Sequence, residues 1–432
     1  KLAASLVPLA ELMMCSLPIV MLCLPLGGVS LYEVFAAYIA MACSIGLSGM
    51  ISLWTSSYFT RTSASLVVSY LLILPLAMAG VGLWRALEQQ GDLRLWVTLS
   101  VVPVGCLSLG ALLWVDVCRR LLRPPDLGSG GKQAIDLETE AKEAVGLYIE
   151  RDQFPDYLFA PAKRTTFLPE NANPIYDKEI RSEIFSQGTL MLRAVIQISL
   201  LLAIVVMAYC VFLRGQHAAW YVSFVVLFNM LVGPVFLAGS VTSERERATL
   251  DLLLTTLITP WQMLWGKLLS GFRVSSVLTS FLMWPLVLAC LMPLEYWSNL
   301  PTVAGYFLIV ALTCATTAMT GLFCSTLFRR SATSLMCTYV LIALMFLAPV
   351  AAGTFVQTFA RNTATASAVA WMQALSPFSA AFNLPLDVNN ISNAGRYDVR
   401  LFAAFVGFSI LYNVALLAAT MQLFKARWRV SE

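Results

Sequence analysis

Charge is what this sequence has least of. Only 12% of its 432 residues are Asp, Glu, Lys or Arg, and the mean hydropathy is +0.77. Runs without any charge, such as 194–213 and 331–360, match or exceed the roughly 20 residues that cross a hydrocarbon core. This excludes a soluble enzyme and predicts a polytopic membrane protein. Segments of that length must be helices, because each has to satisfy its own backbone hydrogen bonds.

Other absences narrow the reading. There is a single histidine, His217, in "GQHAAW", and a metal site needs several donors, so His217 reads as a loop residue. Ten cysteines contain no CxxC pair and sit within or beside apolar runs, which predicts small buried hydrophobes rather than disulfides or a zinc site. Blocks of basic residues interleaved with exposed aromatics are missing, so nucleic acid is not an expected partner. No signal-peptide pattern opens the chain, which starts at Lys1. "LGSGGKQ" (127–133) falls short of a phosphate-binding loop, with Asp126 where the first glycine belongs and Gln133 in place of Ser or Thr. It reads as a linker, so any ATPase must be borrowed.

What is present is a set of about ten spans, near 2–26, 30–57, 64–84, 95–118, 191–213, 219–240, 267–292, 302–327, 332–357 and 399–424. Placing Lys1, Arg61, residues 119–190, Arg193, the 240–260 region, Lys267, Arg273, Arg329, Arg330 and the C-terminus on one side gives that side 22 of the 28 basic residues. That side is expected to be cytoplasmic. "NPIYDKEIRSEIF" carries Tyr176, Ile180 and Ile184 at every fourth position, which predicts an amphipathic surface helix capped by Asn173 with Pro174 at its first position.

"FTRTSASLVVSYLLI" (59–73) aligns with "FRRSATSLMCTYVLI" (328–342), with Phe59/Phe328, Arg61/Arg330 and Tyr70/Tyr339 identical. Both copies enter the membrane from the same side, so the repeat is parallel. The fold class expected is an all-α polytopic membrane protein, with two parallel-repeat bundles and cytoplasmic amphipathic helices. The expected domains are 1–120 (last four helices of a first unit), 121–172 (cytoplasmic linker) and 173–432 (a complete six-helix unit). An upstream extension with a surface helix, two spans and a second acidic-basic block is expected before Lys1.

Between two apolar runs stands "SVTSERERATLDLLLTTLITP" (240–260). Ser243 with Glu246 three residues on matches a capping box, and Glu244 and Glu246 suit the positive end of a helix dipole. Leu250, Leu253, Leu254 and Leu257 follow at helical spacing, Arg247 and Asp251 can pair at i,i+4, and Pro260 is expected to stop the helix. Trp261 and Trp265 suit a membrane interface. The expectation is a short amphipathic helix over 243–259, with a charged end turned to a partner. A solvated loop is the alternative.

This stretch, continued to Leu268 as "SERERATLDLLLTTLITPWQMLWGKL", resembles the signature loop of type-2 ABC exporter permeases. "NPIYDKEIRSE" resembles the surface helix through which units of that family enter the membrane, and "FRRSATS" after the fourth span also fits. Ala248 stands where glycine is commoner, and Leu257 where proline is. The resemblance implies that Ser243, Glu244, Arg245, Glu246, Arg247 and Asp251 dock onto a cytoplasmic ABC ATPase, with Leu250, Leu253 and Leu254 anchoring the helix. It implies two copies of that ATPase, with ATP and Mg on them and no cofactor on this chain. The protein would be a multi-pass subunit of the cell membrane, transporting outward, with residues 119–190 and the C-terminus cytoplasmic. Glu11 is an intramembrane carboxylate and a candidate pathway residue. It also supports a rival reading, an ion-coupled secondary transporter. A non-transporting scaffold is a third class.

Overall fold

A computed structural model describes residues 2–21, 30–59, 62–87, 90–122, 173–182, 189–208, 210, 218–250, 253, 255–291, 300–359, 369, 371–384 and 399–428. It is all-helical among these residues. The chain divides into two units, Lys1–Glu150 and Arg151–Glu432, and each is taken by itself. Eight described helices are long and apolar enough to cross a membrane, and two shorter apolar stretches, Ser5–Pro18 and Ile196–Ala208, join them. His217 and the "LGSGGKQ" stretch lie outside the described residues.

The first unit has α1 (Leu2–Met21), α2 (Leu31–Tyr58), α3 (Thr62–Ala86) and α4 (Gly91–Leu122). A capping box opens α2: Ser30 N–H donates to Glu33 at 2.9 Å and Glu33 N–H donates to Ser30 Oγ at 3.3 Å, satisfying two donors that the helix cannot. α2 is the hub, with α1, α3 and α4 packed on it. At the far end of α2, Trp54 Nε1 and Tyr58 O–H donate to Asp116 of α4 at 2.7 and 2.8 Å, and the Arg120 guanidinium covers the Tyr58 ring. The carboxylate is thus paired before it meets lipid.

The second unit has α5 (Pro174–Ser182), α6 (Thr189–Ala208), α7 (Ala218–Leu237), a short α8 (Thr242–Glu246), α9 (Pro260–Leu291), α10 (Leu300–Leu327), α11 (Ser331–Phe359), α12 (Pro377–Phe382) and α13 (Val399–Trp428). Its centre is α10, against which α7, α9, α11 and α13 all pack. α7 is buried on nearly every side, and Asn229, fully buried at its middle, accepts from Thr317 at 3.2 Å and donates to Thr279 at 3.4 Å. Lipid is as apolar as leucine, so such spans are held by close packing and by polar bonds between helices. Gly233 allows a close approach: a Cβ there would lie 2.4 Å from Thr317 Oγ1.

Each of the two aligned segments opens a helix that packs on the helix before it. In the first unit Thr55 bonds Ser65 at 3.2 Å and Ser69 at 2.7 Å, tying α2 to α3. The aligned residues of the second unit are Cys324, Ser334 and Thr338. All three are buried, and Thr338 Oγ1 donates to the Ser334 carbonyl at 2.7 Å, as Ser69 Oγ does to the Ser65 carbonyl at 2.7 Å. Ser57 and Thr326, aligned in turn, each donate to the carbonyl three residues back.

Two boundaries differ from the sequence expectation. Pro260 starts α9 instead of stopping a helix, with Thr259 as its cap: Gln262 N–H donates to Thr259 Oγ1 at 3.3 Å and Thr259 N–H donates to Gln262 Oε1 at 3.1 Å. The span expected from Lys267 therefore begins seven residues earlier. Helix 243–259 is not continuous: α8 ends at Glu246, and Ala248 has φ 55°, left-handed backbone that a right-handed helix cannot contain.

Candidate functional site

The site is built on α5, the 238–259 segment and the start of α9. Asn173 caps α5 as expected, its Oδ1 accepting from Ile175 N–H at 3.0 Å and Tyr176 N–H at 3.4 Å, with Pro174 at the first helical position. The face that α5 buries differs from the one read in the sequence. Ile175 and Ile180 are the buried residues, Tyr176 is only half-buried, and α5 packs on α9. Ile184 lies outside the described residues. Asn173 Nδ2 donates to the Gln262 carbonyl at 2.6 Å, and Arg273 donates to Tyr176 O–H at 3.1 Å. Gly266 admits this contact, since a Cβ there would stand 2.9 Å from Asn173 Nδ2 and 3.1 Å from the Tyr176 backbone nitrogen.

Four charges close the cluster. Lys267, 2% exposed, lies 2.6 Å from Glu179 of α5 and 3.5 Å from Glu244 of α8. Lys178, on the solvent side, reaches Glu244 at 3.0 Å, and the Thr249 hydroxyl donates to the same carboxylate. The set is two ammoniums and two carboxylates, so a lysine deep in the protein is neutralised where it sits, as a buried charge requires.

Arg245 and Glu246 turn to a different partner, the turn between α10 and α11. The Arg245 guanidinium donates to the Thr326 carbonyl at 3.2 and 3.3 Å and to the Phe328 carbonyl at 3.0 Å. Glu246 accepts from Ser331 N–H at 2.7 Å and from Ser331 Oγ at 2.9 Å. Ser325 Oγ accepts from Val241 N–H at 2.8 Å and Thr242 N–H at 3.2 Å, while Thr242 and Ser331 hydroxyls bond at 3.0 Å.

The sequence-based site is therefore reordered. Ser243 does not cap: it lies inside α8, whose cap position is Val241, a side chain with no acceptor, and Glu246 is taken by Ser331, 85 residues on. Glu244, Arg245 and Glu246 bind the protein's own helices. Of the charged run, Glu246 and Arg247 are exposed, Glu246 bonded to Ser331 and Arg247 beside the exposed Ala248. Leu250 and Leu253 are half-buried, and Leu257 is 103% exposed at the far end of the segment. Asp251 and Leu254 lie outside the described residues, and so does the expected Arg247–Asp251 pair. Glu11 stands exposed on α1, in the first unit. Trp261 and Trp265 stack at 5.4 Å between ring centroids on the first turns of α9. Lys267, Glu179, Ser325 and Ser331 were not singled out from sequence. The available signal was the lysine itself, a lone ammonium in an apolar run.

Among the described residues, no group of three or more His, Cys, Asp or Glu side chains could hold a metal ion. The segment has the chemistry of a contact surface, with inward charges that fix its position and an outward edge of Arg247 and Leu257.

No curated protein and no solved structure matches this chain. A family model described as "ABC-2 family transporter protein" matches residues 184–424, more than half of the chain, from just after α5 through nearly all of α13 and including the whole 238–259 segment. The chain belongs to the ABC-2 transporter family and is a multi-pass membrane permease of an ABC transporter, in a family whose members work with ATPase partners.

Proposed function

We propose that this permease couples ATP hydrolysis on separate cytoplasmic subunits to the outward movement of a substrate across the cell membrane. Two ATPase copies, which hold the ATP and Mg, meet the permease at the segment between α7 and α9. The observation that carries the reading is the sidedness of that segment. Glu244, Arg245 and Glu246 are spent on internal contacts, while Arg247 and the fully exposed Leu257 face outward. An exposed leucine near an arginine suits a partner that offers an apolar groove with an acidic rim. Most Lys and Arg residues fall on this side of the spans, which supports a cytoplasmic setting for it and for the C-terminus.

The test is ATP hydrolysis by the chain isolated from its native membrane with its associated subunits. Wild type is expected to hydrolyse ATP. Leu257→Asp and Arg247→Glu should each lower that activity at least fivefold at unchanged permease level. Absence of ATP hydrolysis in the wild-type preparation, or full activity in both variants, would overturn the reading.

A further inference from the structure

The order of charges in the Glu-Arg run matches the two helix ends beneath it. α10 ends at Leu327 and α11 starts at Ser331, so the carbonyl-rich end of one helix and the N–H-rich end of the next lie side by side. These ends carry opposite partial charges and the unsatisfied groups of each helix. Arg245 supplies a cation to the carbonyls of Thr326 and Phe328, and the adjacent Glu246 supplies an anion to the N–H and hydroxyl of Ser331. Ser325 and Thr242 add three further bonds one turn away. The forked guanidinium meets two carbonyls at once, which a lysine cannot do in the same way.

By comparison, the segment's link to α7, the helix before it in the chain, is the turn 238–241. Its chain link to α9 runs through a left-handed residue, Ala248, and an exposed stretch, with the Lys267–Glu244 contact at 3.5 Å as the side-chain tie between α8 and α9. We propose that Arg245 and Glu246 are positioning residues that clamp the segment to the α10–α11 turn, so that a push on the segment is delivered to α10 and α11 as one body with it. This rests on the reading that an ATPase acts on the segment. The clamp itself is measurable on the permease alone.

The experiment has two arms. In the first, spin labels carried by non-natural amino acids at Arg247 and Arg329, both exposed, leave the native cysteines in place. Their distance distribution is measured on the purified chain in lipid nanodiscs. Arg245→Gln with Glu246→Gln is expected to widen it at least twofold, and Arg245→Lys with Glu246 intact to restore part of the width. An unchanged distribution in the double variant would overturn the clamp.

In the second arm, a fluorophore at Met336, exposed on α11, reports the response of the permease–ATPase complex to ATP with orthovanadate. The double variant should lose at least half of that response while ATP hydrolysis stays within twofold of wild type. A full response without the clamp would overturn transmission through it. A wild-type complex without any nucleotide response would refute the coupling reading, and with it transmission, while the clamp stands or falls by the first arm.

Discussion

The ammonium of Lys267 lies 2.6 Å from the carboxylate of Glu179, across 88 residues of chain, and is almost wholly shielded from solvent. It therefore fastens α5 to α9, and through Glu244 it fastens α8 to both. Lys267→Met would leave two carboxylates facing each other without their buried cation. The expected cost is about 3 kcal/mol, typical of breaking a buried pair from one side. Thermal unfolding of the purified chain in detergent measures it. Adding Glu179→Gln and Glu244→Gln to Lys267→Met should recover at least half of the loss, because the one charge left without its partner, Lys178, is on the solvent side. Failure to recover would show that Lys267 acts by packing instead.

Gly266 predicts a second effect on the same junction. A Cβ at this position meets the Asn173 side chain and the Tyr176 backbone, and only the side chain can move aside cheaply. Gly266→Val should push α5 off α9 and expose the chain near Asn173 to protease at least tenfold faster, at a cost of about 2 kcal/mol. Unchanged protease sensitivity would contradict the close α5–α9 contact.

Ala248 predicts a gain. A left-handed alanine costs about 1 kcal/mol relative to glycine, which carries no Cβ to clash. Ala248→Gly should slow local opening of the segment, read as hydrogen exchange at Thr249 and Leu253, whose N–H groups bond Glu244 O at 2.9 Å and Thr249 O at 3.2 Å. Ala248→Val should speed the same exchange. The opposite order would mean that the backbone there is right-handed.

Within the α7–α10 contact, packing should outweigh hydrogen bonding. Asn229→Leu removes two bonds between helices, each worth about 0.6 kcal/mol in membranes. Gly233→Leu inserts a side chain where even a Cβ has no room beside Thr317, at a cost of about 3 kcal/mol or failure to fold. Thermal unfolding of the two variants side by side decides the order, and an equal loss would refute it.

The sequence made the spans legible, because a charge-free run of about 20 residues admits few other structures. It also revealed the Asn173–Pro174 cap, which is a local pattern. It misled where two local patterns competed. Ser243 with Glu246 and Thr259 with Gln262 both fit a capping box, and only the second forms. Nothing near Glu246 in the chain announces Ser331, and nothing near Glu244 announces Lys267. Pairings across dozens of residues depend on how the helices are stacked, and an apolar helix that is buried all round, such as α7, carries no stripe to reveal its neighbours. The departure of Ala248 from the commoner glycine was visible as a residue type, but the positive φ that explains it was not.

α9 has 32 residues and is therefore ~48 Å long, against ~30 Å of hydrocarbon. Stacked tryptophans settle at the headgroup level, and Trp261 and Trp265 sit on its first turns, so they fix how deep this end of the helix rides. Tilt takes up part of the surplus length, and tilt follows the thickness of the surrounding lipid. Arg247 and Leu257, carried just outside that end, change height when the bilayer thickens or thins, with every bond inside the protein unchanged. On the proposed docking role of Arg247 and Leu257, a soluble partner that must reach them becomes sensitive to the lipid composition of the membrane, which acts as a silent third component of the transporter.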